Sequence, residues 1–325
     1  MIKLENTFSI GCLVQWYEIE IIGEYIESLK NALKDIENVD NVMIDITLTT
    51  NQELEKIDDT IEMSEIVDRY NKLVDTLIDT GAPVKSIVTD KLVTIAEYRR
   101  LFNDIHCHHA DVLMWGETDS LLPKQTFEIL DNLHSQVKNT TPKYVSFFGI
   151  CKMWDESWKP IEHTKFTDKP FIEDDYDNWW SVKYTMSLKE MYDINDKVDE
   201  LDVRTLDNGF KFNGCGLVIS SEVIKSGINI PKSVFFVHED TAFQNMMMRM
   251  YGPQTIPQYI IKNILLVHNR NHPKKRMYIE GESGRTMNMK RRSNDWYVKA
   301  NQMCEHNAYN LFNQDKAYTW KDVFK

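Results

Sequence analysis

Through the first 120 residues, short apolar runs alternate with amphipathic stretches, and no other feature constrains the fold as much. Phe8 to Trp16 is a nearly continuous apolar run, as expected of a strand buried on both faces. Ile19, Ile22, Ile26, Leu29, Leu33 and Ile36 then recur at three- and four-residue steps, which places them on one stripe of a helix. Asn41 to Leu48 predicts a second strand, Ile66 to Ile78 a second helix closed by Gly81 and Pro83, and Ser86 to Thr89 a short third strand. A helix from about Thr94 to His108 leads into a fourth strand, Asp111 to Gly116. Strands separated by helices need crossover connections, so the expectation is an α/β fold with a mostly parallel sheet flanked by helices. In such sheets ligands bind beyond the carboxyl ends of the strands.

That rule directs attention to "VLMWGETDSLLP", residues 112 to 123, where Glu117 and Asp119 follow the fourth strand. Carboxylates two residues apart in an irregular turn can face one point. Hard oxygen donors beside a phosphate-bearing ligand suit Mn2+ or Mg2+. Pro123 reads as the start of the helix carrying Phe127, Leu130 and Leu133. Taken alone, a Glu-x-Asp pair is also what a solvated acidic turn contains. Glu239 and Asp240, in "VHEDTAF", read in the same plain way as a helix N-terminus, where acids favour the helix dipole.

Charge and cysteine usage narrow the class. A hydrophobic content of 42% over 325 residues is enough for a full core, and the net charge of −12 excludes a protein coated in positive charge. That average conceals a basic segment, 270 to 292, with Arg270, Lys274, Lys275, Arg276, Arg285, Lys290, Arg291 and Arg292 against Glu280 and Glu282. Such a segment fits a polyanion such as DNA, or it grips the acidic body of the protein itself. Met1 to Ile10 lacks the apolar core of a signal peptide, and Ile261 to Val267 falls far short of the roughly 18 residues of a membrane helix, so a cytoplasmic protein with no membrane partner is expected. Cysteines at 12, 107, 151, 215 and 304 are odd in number and scattered, which predicts buried thiols instead of disulfides or a thiolate zinc cage. Between Cys151 and Asn213, Trp154, Trp158, Trp179, Trp180 and Tyr184 stand among carboxylates. They suit stacking on a sugar ring or base, or a satellite core under a long loop.

In order along the chain, these stretches resemble the glycosyltransferases of the GT-A fold, most closely family 2. "SIGCLVQWYEIEIIGEYIESLKNAL" looks like the opening strand and helix, "TIAEYRRLFNDI" the helix that closes over the nucleotide, and "MWGETDSLLPKQTFEIL" the Asp-x-Asp turn with its following helix. "FNGCGLVISSEVI" resembles the glycine-containing acceptor segment and "FFVHEDTAFQNMMMRMYG" the motif and helix of the catalytic base. The resemblance covers about residues 7 to 272. It implies a nucleotide-sugar-binding half (1–120), an acceptor and catalytic half of the same domain (121–272) and a C-terminal helical and basic extension (273–325).

It also implies a reaction: transfer of a sugar from a nucleotide-diphosphate sugar, a UDP-sugar first among them, to an acceptor hydroxyl with inversion. Asp119 and Glu117 would hold Mn2+ or Mg2+, with His268, or else His272, as a further ligand. Asp240 would be the base and Glu239 would orient it. Arg99, Arg100, Thr49, Lys274, Lys275 and Arg276 would face the donor, and Trp179, Trp180, Gly214 and Gly216 the acceptor. The basic segment would suit a hydroxymethylated pyrimidine in phage DNA as the acceptor, and a glycan is the other expectation. Two departures stand out: Glu117 replaces the usual Asp, and the second strand ends in "DITLTTN" instead of an Asp-rich turn, so Thr49, Thr50 and Asn51 take the place of Asp45 as candidates for hydrogen bonding the nucleobase of the donor. Two other classes are compatible. A nucleotidyltransferase needs a glycine-rich phosphate loop after the first strand, which "GCLVQWYEIE" lacks. An inactive carbohydrate- or nucleic-acid-binding module would follow if Glu117 is a decayed ligand.

Overall fold

A computed structural model describes residues 1–54, 62–150, 187–205, 214–252, 256–269 and 295–325. The N-terminal half follows the sequence pattern closely. Strand β1 (Phe8–Gln15) leads to helix α1 (Ile22–Leu33), β2 (Val42–Thr49) to α2 (Met63–Ile78), and β3 (Val84–Thr89) to α3 (Ile95–His106), which feeds β4 (Val112–Trp115). All six residues of the apolar stripe from Ile19 to Ile36 are buried. Each contributes roughly 1.5–3 kcal/mol through area removed from water. Thr94 caps α3, accepting from the Glu97 amide while Glu97 accepts from the Thr94 amide. This reciprocal cap fixes where the helix begins.

The chain then forms the two-residue strand β5 (Ser120–Leu121), helix α4 (Thr126–Val137) and strand β6 (Val145–Ile150). Helix α4 starts three residues after Pro123, not at it. The Pro123 carbonyl accepts from both the amide and the hydroxyl of Thr126, so the proline closes a turn ahead of the helix. Next come α5 (Leu188–Asn195), β7 (Val203–Thr205), β8 (Val218–Ser220), α6 (Ser221–Lys225), α7 (Glu239–Tyr251), β9 (Gln258–His268), α8 (Asp295–Tyr309) and α9 (Trp320–Val323).

These strands form one mixed sheet in the order β3-β2-β1-β4-β8-β6-β9-β5, with β7 also paired to β9. The first four strands are parallel to one another, as are β6 and β9, while β8 runs antiparallel between β4 and β6. The α/β architecture with a mostly parallel sheet flanked by helices is therefore the observed one. Residues 295–325 pack back onto the segment leading into α7: Phe235 and Phe236 are enclosed by Trp296, Tyr297 and Trp320, and the Asn307 amide donates to the Ser233 and Tyr318 carbonyls. Cys12, Cys107, Cys215 and Cys304 are buried thiols outside any disulfide, and Cys151 lies outside the described residues. No described helix is long and apolar enough to cross a membrane.

Asp45 lies in the middle of β2, under α3. The Tyr98 hydroxyl donates to its carboxylate at 3.0 Å, Lys85 Nζ lies at 2.7 Å and His106 Nε2 at 2.9 Å. Burial pushes the carboxyl pKa up, but the contacts from His106, Lys85 and Tyr98 outweigh it and leave the group below the usual range. A folded value below the unfolded one means stability that is present above about pH 4 and lost as pH falls through the folded value. Asp45→Asn is expected to flatten the acid limb of a stability-against-pH curve, read as urea midpoints. An unchanged acid limb would assign that dependence elsewhere.

Candidate active site

At the end of β4 the chain makes a close approach that admits only glycine. The Gly116 amide donates to the Gly11 carbonyl at 2.7 Å, and a Cβ at 116 would lie 2.3 Å from the Tyr25 hydroxyl and 3.0 Å from the Gly11 oxygen. The next residues turn tightly: the Ser120 amide donates to the Glu117 carbonyl at 3.1 Å and its hydroxyl to the same oxygen at 2.9 Å. Ser120 and Leu121 then pair antiparallel with His268 and Val267, and the Asn269 amide donates to the Asp119 carbonyl. That register carries His268 to the acidic turn. Its Nε2 lies 3.1 Å from Glu117 Oε2 and 3.6 Å from Asp119 Oδ1. Asp119 is buried and Glu117 partly open.

Arg99 of α3 crosses beneath this turn with only 1% of its surface exposed. Its guanidinium sits 4.8 Å from the centre of the Trp115 ring, donates from Nη2 to Glu117 Oε1 at 2.6 Å and from Nη1 to Glu239 Oε1 at 2.5 Å. Burial works against the charged form, but Glu117 and Glu239 more than offset it, so the guanidinium is held firmly cationic. Arg99 thus joins the turn after β4 to the start of α7.

Helix α7 begins under strain. His238, its N-cap, has φ +67°, the one positive value at a non-glycine among the described residues, and its carbonyl accepts from the Ala242 amide. Left-handed backbone at a residue bearing a Cβ costs roughly 1–2 kcal/mol. The two acids that follow occupy different environments. Glu239 is buried, and burial raises its carboxyl to about 7 against the pull of Arg99, with Asp240 adding to the rise. Asp240 is partly exposed and oriented by backbone amides: Thr241 N–H donates to Oδ1 at 2.7 Å and Gly214 N–H to Oδ2 at 3.2 Å.

Gly214 makes this arrangement possible. A Cβ there would stand 2.2 Å from Arg99 Nη1 and 3.1 Å from Glu239 Oε1. Gly214→Ala is expected to displace the guanidinium and destabilise the protein by about 1–3 kcal/mol, the usual cost of overpacking. Thermal denaturation measures it, and an unchanged Tm would mean the pair shifts freely. Gly216 donates its amide to the Trp115 carbonyl at 3.0 Å, holding the 214–216 turn against the end of β4.

Cys215 lies in that turn, and its position beside the acidic pair does not follow from a lone cysteine in the sequence. Its sulfur, a Glu117 carboxylate oxygen and a His268 ring nitrogen all lie within 4.8 Å of one another. Burial and then the Glu117 carboxylate hold its thiol pKa well above the ordinary value. The signal available in "NGCGL" was only that two glycines flank it. Oxygen, nitrogen and sulfur donors converging beyond β4, with Asp119 adjoining, make a set that fits a divalent transition-metal cation.

Thr49 is buried and its hydroxyl donates to the Lys91 carbonyl at 2.8 Å, while Thr50 donates to the Thr89 carbonyl and the Asn51 amide to Asp90. Arg100 Nη1 donates to the Pro231 and Val234 carbonyls, outside the Arg99 cluster. Trp179, Trp180, His272, Lys274, Lys275 and Arg276 lie outside the described residues.

No protein-family model and no curated protein matches this sequence. Among solved structures, the chain is similar to a crystal structure of S. aureus TarS, with 12% identity, a TM-score of 0.46 and coverage of 82% of this chain and 37% of that one. It is also similar to a crystal structure of S. aureus TarS 1–349, with 10% identity, a TM-score of 0.41 and coverage of 95% and 73%. The chain spans little more than a third of the first of these. At such distance the chemistry has to rest on the side chains at the end of β4 and the start of α7.

Proposed function

We propose that the chain is a metal-dependent glycosyltransferase that moves a sugar from a nucleotide-diphosphate sugar, a UDP-sugar first among the candidates, to an acceptor hydroxyl with inversion. The observation that carries this reading is one constellation at the carboxyl edge of the sheet: Glu117, Asp119 and His268 on one side, Asp240 on the other, and Arg99 linking Glu117 to Glu239. The first group has the donor chemistry to hold Mn2+ or Mg2+, which when bound would set positive charge against a departing diphosphate. Asp240 has the role of base. Its carboxylate is partly open, and two backbone amides fix its orientation, so it is poised to take the proton of an attacking hydroxyl. Glu239 is committed to Arg99, which makes it a positioning group for its neighbour. A single displacement with a base opposite the leaving group inverts the anomeric centre.

For the acceptor we propose a polyanion or glycan met from the side of Asp240, with hydroxymethylated pyrimidine DNA as one case. The aromatic pair Trp179 and Trp180 and the basic segment 270–292 are its proposed contacts.

Isothermal titration with UDP and Mn2+ tests the donor half of this reading. Wild type is expected to bind UDP only with the cation present, and Asp119→Ala to lose that dependence together with most of the affinity. UDP binding indifferent to both the metal and Asp119 would overturn the proposal.

A further inference from the structure

We infer that Cys215 is a metal-ligating thiol, so that the cation site beyond β4 is thiophilic and takes Zn2+ or Cd2+ in preference to Mg2+. The inference rests on the reading above that a divalent cation binds at Glu117 and His268, and it adds a ligand and a metal class that the acidic motif does not announce.

Three separate constraints bring the donor atoms together. Glu117 is set by the close approach of Gly116 to Gly11 at the end of β4. His268 is set by its register opposite Ser120 in the β5–β9 pair. Cys215 is set by the Gly216 amide on the Trp115 carbonyl and by the β4–β8 pairing that begins at Met114 and Val218. The sulfur, oxygen and nitrogen meet within 4.8 Å, and Cys215 is 1% exposed, so the thiol faces the interior of the site and not solvent. Arg99 donates to Oε1 of Glu117, while Oε2 is the oxygen turned toward His268.

Donor chemistry then selects the cation. Mg2+ takes oxygen ligands in near-octahedral geometry and keeps much of its water, so a thiol offers it little. Thiolate and imidazole with the Glu117 carboxylate suit Zn2+, and Asp119, which adjoins them, completes a four-ligand set that zinc can expand by one substrate atom. On ligation the Cys215 S–H proton passes to solvent as the sulfur–metal bond forms, so uptake of one cation at the thiol releases one proton.

Cobalt reports sulfur ligation directly. Titration of the full chain with Co2+ is expected to give a thiolate-to-cobalt charge-transfer band in the near ultraviolet together with visible d–d bands. Cys215→Ser should lose the first and keep the second, because Glu117 and His268 remain, and Cys12→Ser should keep both. The serine variant is also expected to lose Zn2+ affinity by about tenfold or more, since removing even an outer-shell partner costs a metal site that much. X-ray absorption at the zinc edge of the wild-type protein gives the same answer without relying on a variant that must fold. One sulfur at about 2.3 Å supports the inference. Cobalt or zinc bound with a nitrogen and oxygen shell alone overturns it and leaves the metal reading intact, as does a charge-transfer band that survives Cys215→Ser. If neither Co2+ nor Zn2+ binds, with or without UDP, the metal reading falls and this inference falls with it.

Discussion

Asp240→Asn is expected to bind UDP and cation as wild type does and to transfer sugar about 10²–10⁴-fold more slowly, the range lost when a positioned general base is removed. The amide keeps the shape of the carboxylate, but its single oxygen can accept from only one of the two amides that bond Oδ1 and Oδ2, so the longer bond from Gly214 is given up and the shorter one from Thr241 is kept. What it loses is a site for the acceptor's proton. Glu239→Gln provides the contrast. Glu239 is joined to Arg99, and its loss should disturb the position of the α7 start more than the proton transfer itself. Initial rates with a hydroxyl acceptor and with water separate the two roles. Wild-type turnover in Asp240→Asn would remove the base assignment.

Removing Arg99 is expected to cost stability on a scale that few single changes reach. Two carboxylates share its guanidinium in a buried place, and deleting one member of such a set leaves charge without compensation, at about 3–5 kcal/mol. Arg99→Met retains part of the apolar bulk against Trp115, so its deficit reports mostly charge. The pH dependence has a definite sign. Burial already raises the Glu239 carboxyl to about 7, above the value of an unfolded chain, and a folded pKa above the unfolded one means stability present at low pH and lost as pH rises through the folded value. Without Arg99 that carboxyl rises further, so Arg99→Met should be most impaired near and above neutrality and should recover toward pH 5. Adding Glu117→Gln and Glu239→Gln to Arg99→Met should restore much of the loss. Urea midpoints across pH check this, and a deficit independent of pH would assign the cost to packing.

What could be read in the chain beforehand was what depends on near neighbours. The stripe from Ile22 to Leu33 is helical because residues three and four apart share a face, while Ile19 and Ile36 are buried just outside the two ends of α1, and Thr94 with Glu97 caps α3 within a single turn. The run from Val112 to Trp115 is a central strand because every residue in it is buried, and the carboxyl end of such a strand is where Glu117 and Asp119 had to fall. Helix α4 starts three residues beyond Pro123, because a proline before a helix serves equally well at its first position or in the turn ahead of it.

The assembly of the site was a different kind of fact. Arg99 and Glu239 stand 140 residues apart, and their ion pair links α3 to α7 across a separation that no motif announces. Cys215 read as one more buried thiol until the pairing of β4 with β8 and of β5 with β9 set it beside Glu117 and His268. Periodicity in the chain determined the alternating strands and helices of the first 120 residues, since backbone hydrogen bonding and burial repeat on the scale of a turn or a pleat. Only the tertiary structure decided which charges meet, because strand register and close glycine contacts join residues that no local pattern connects.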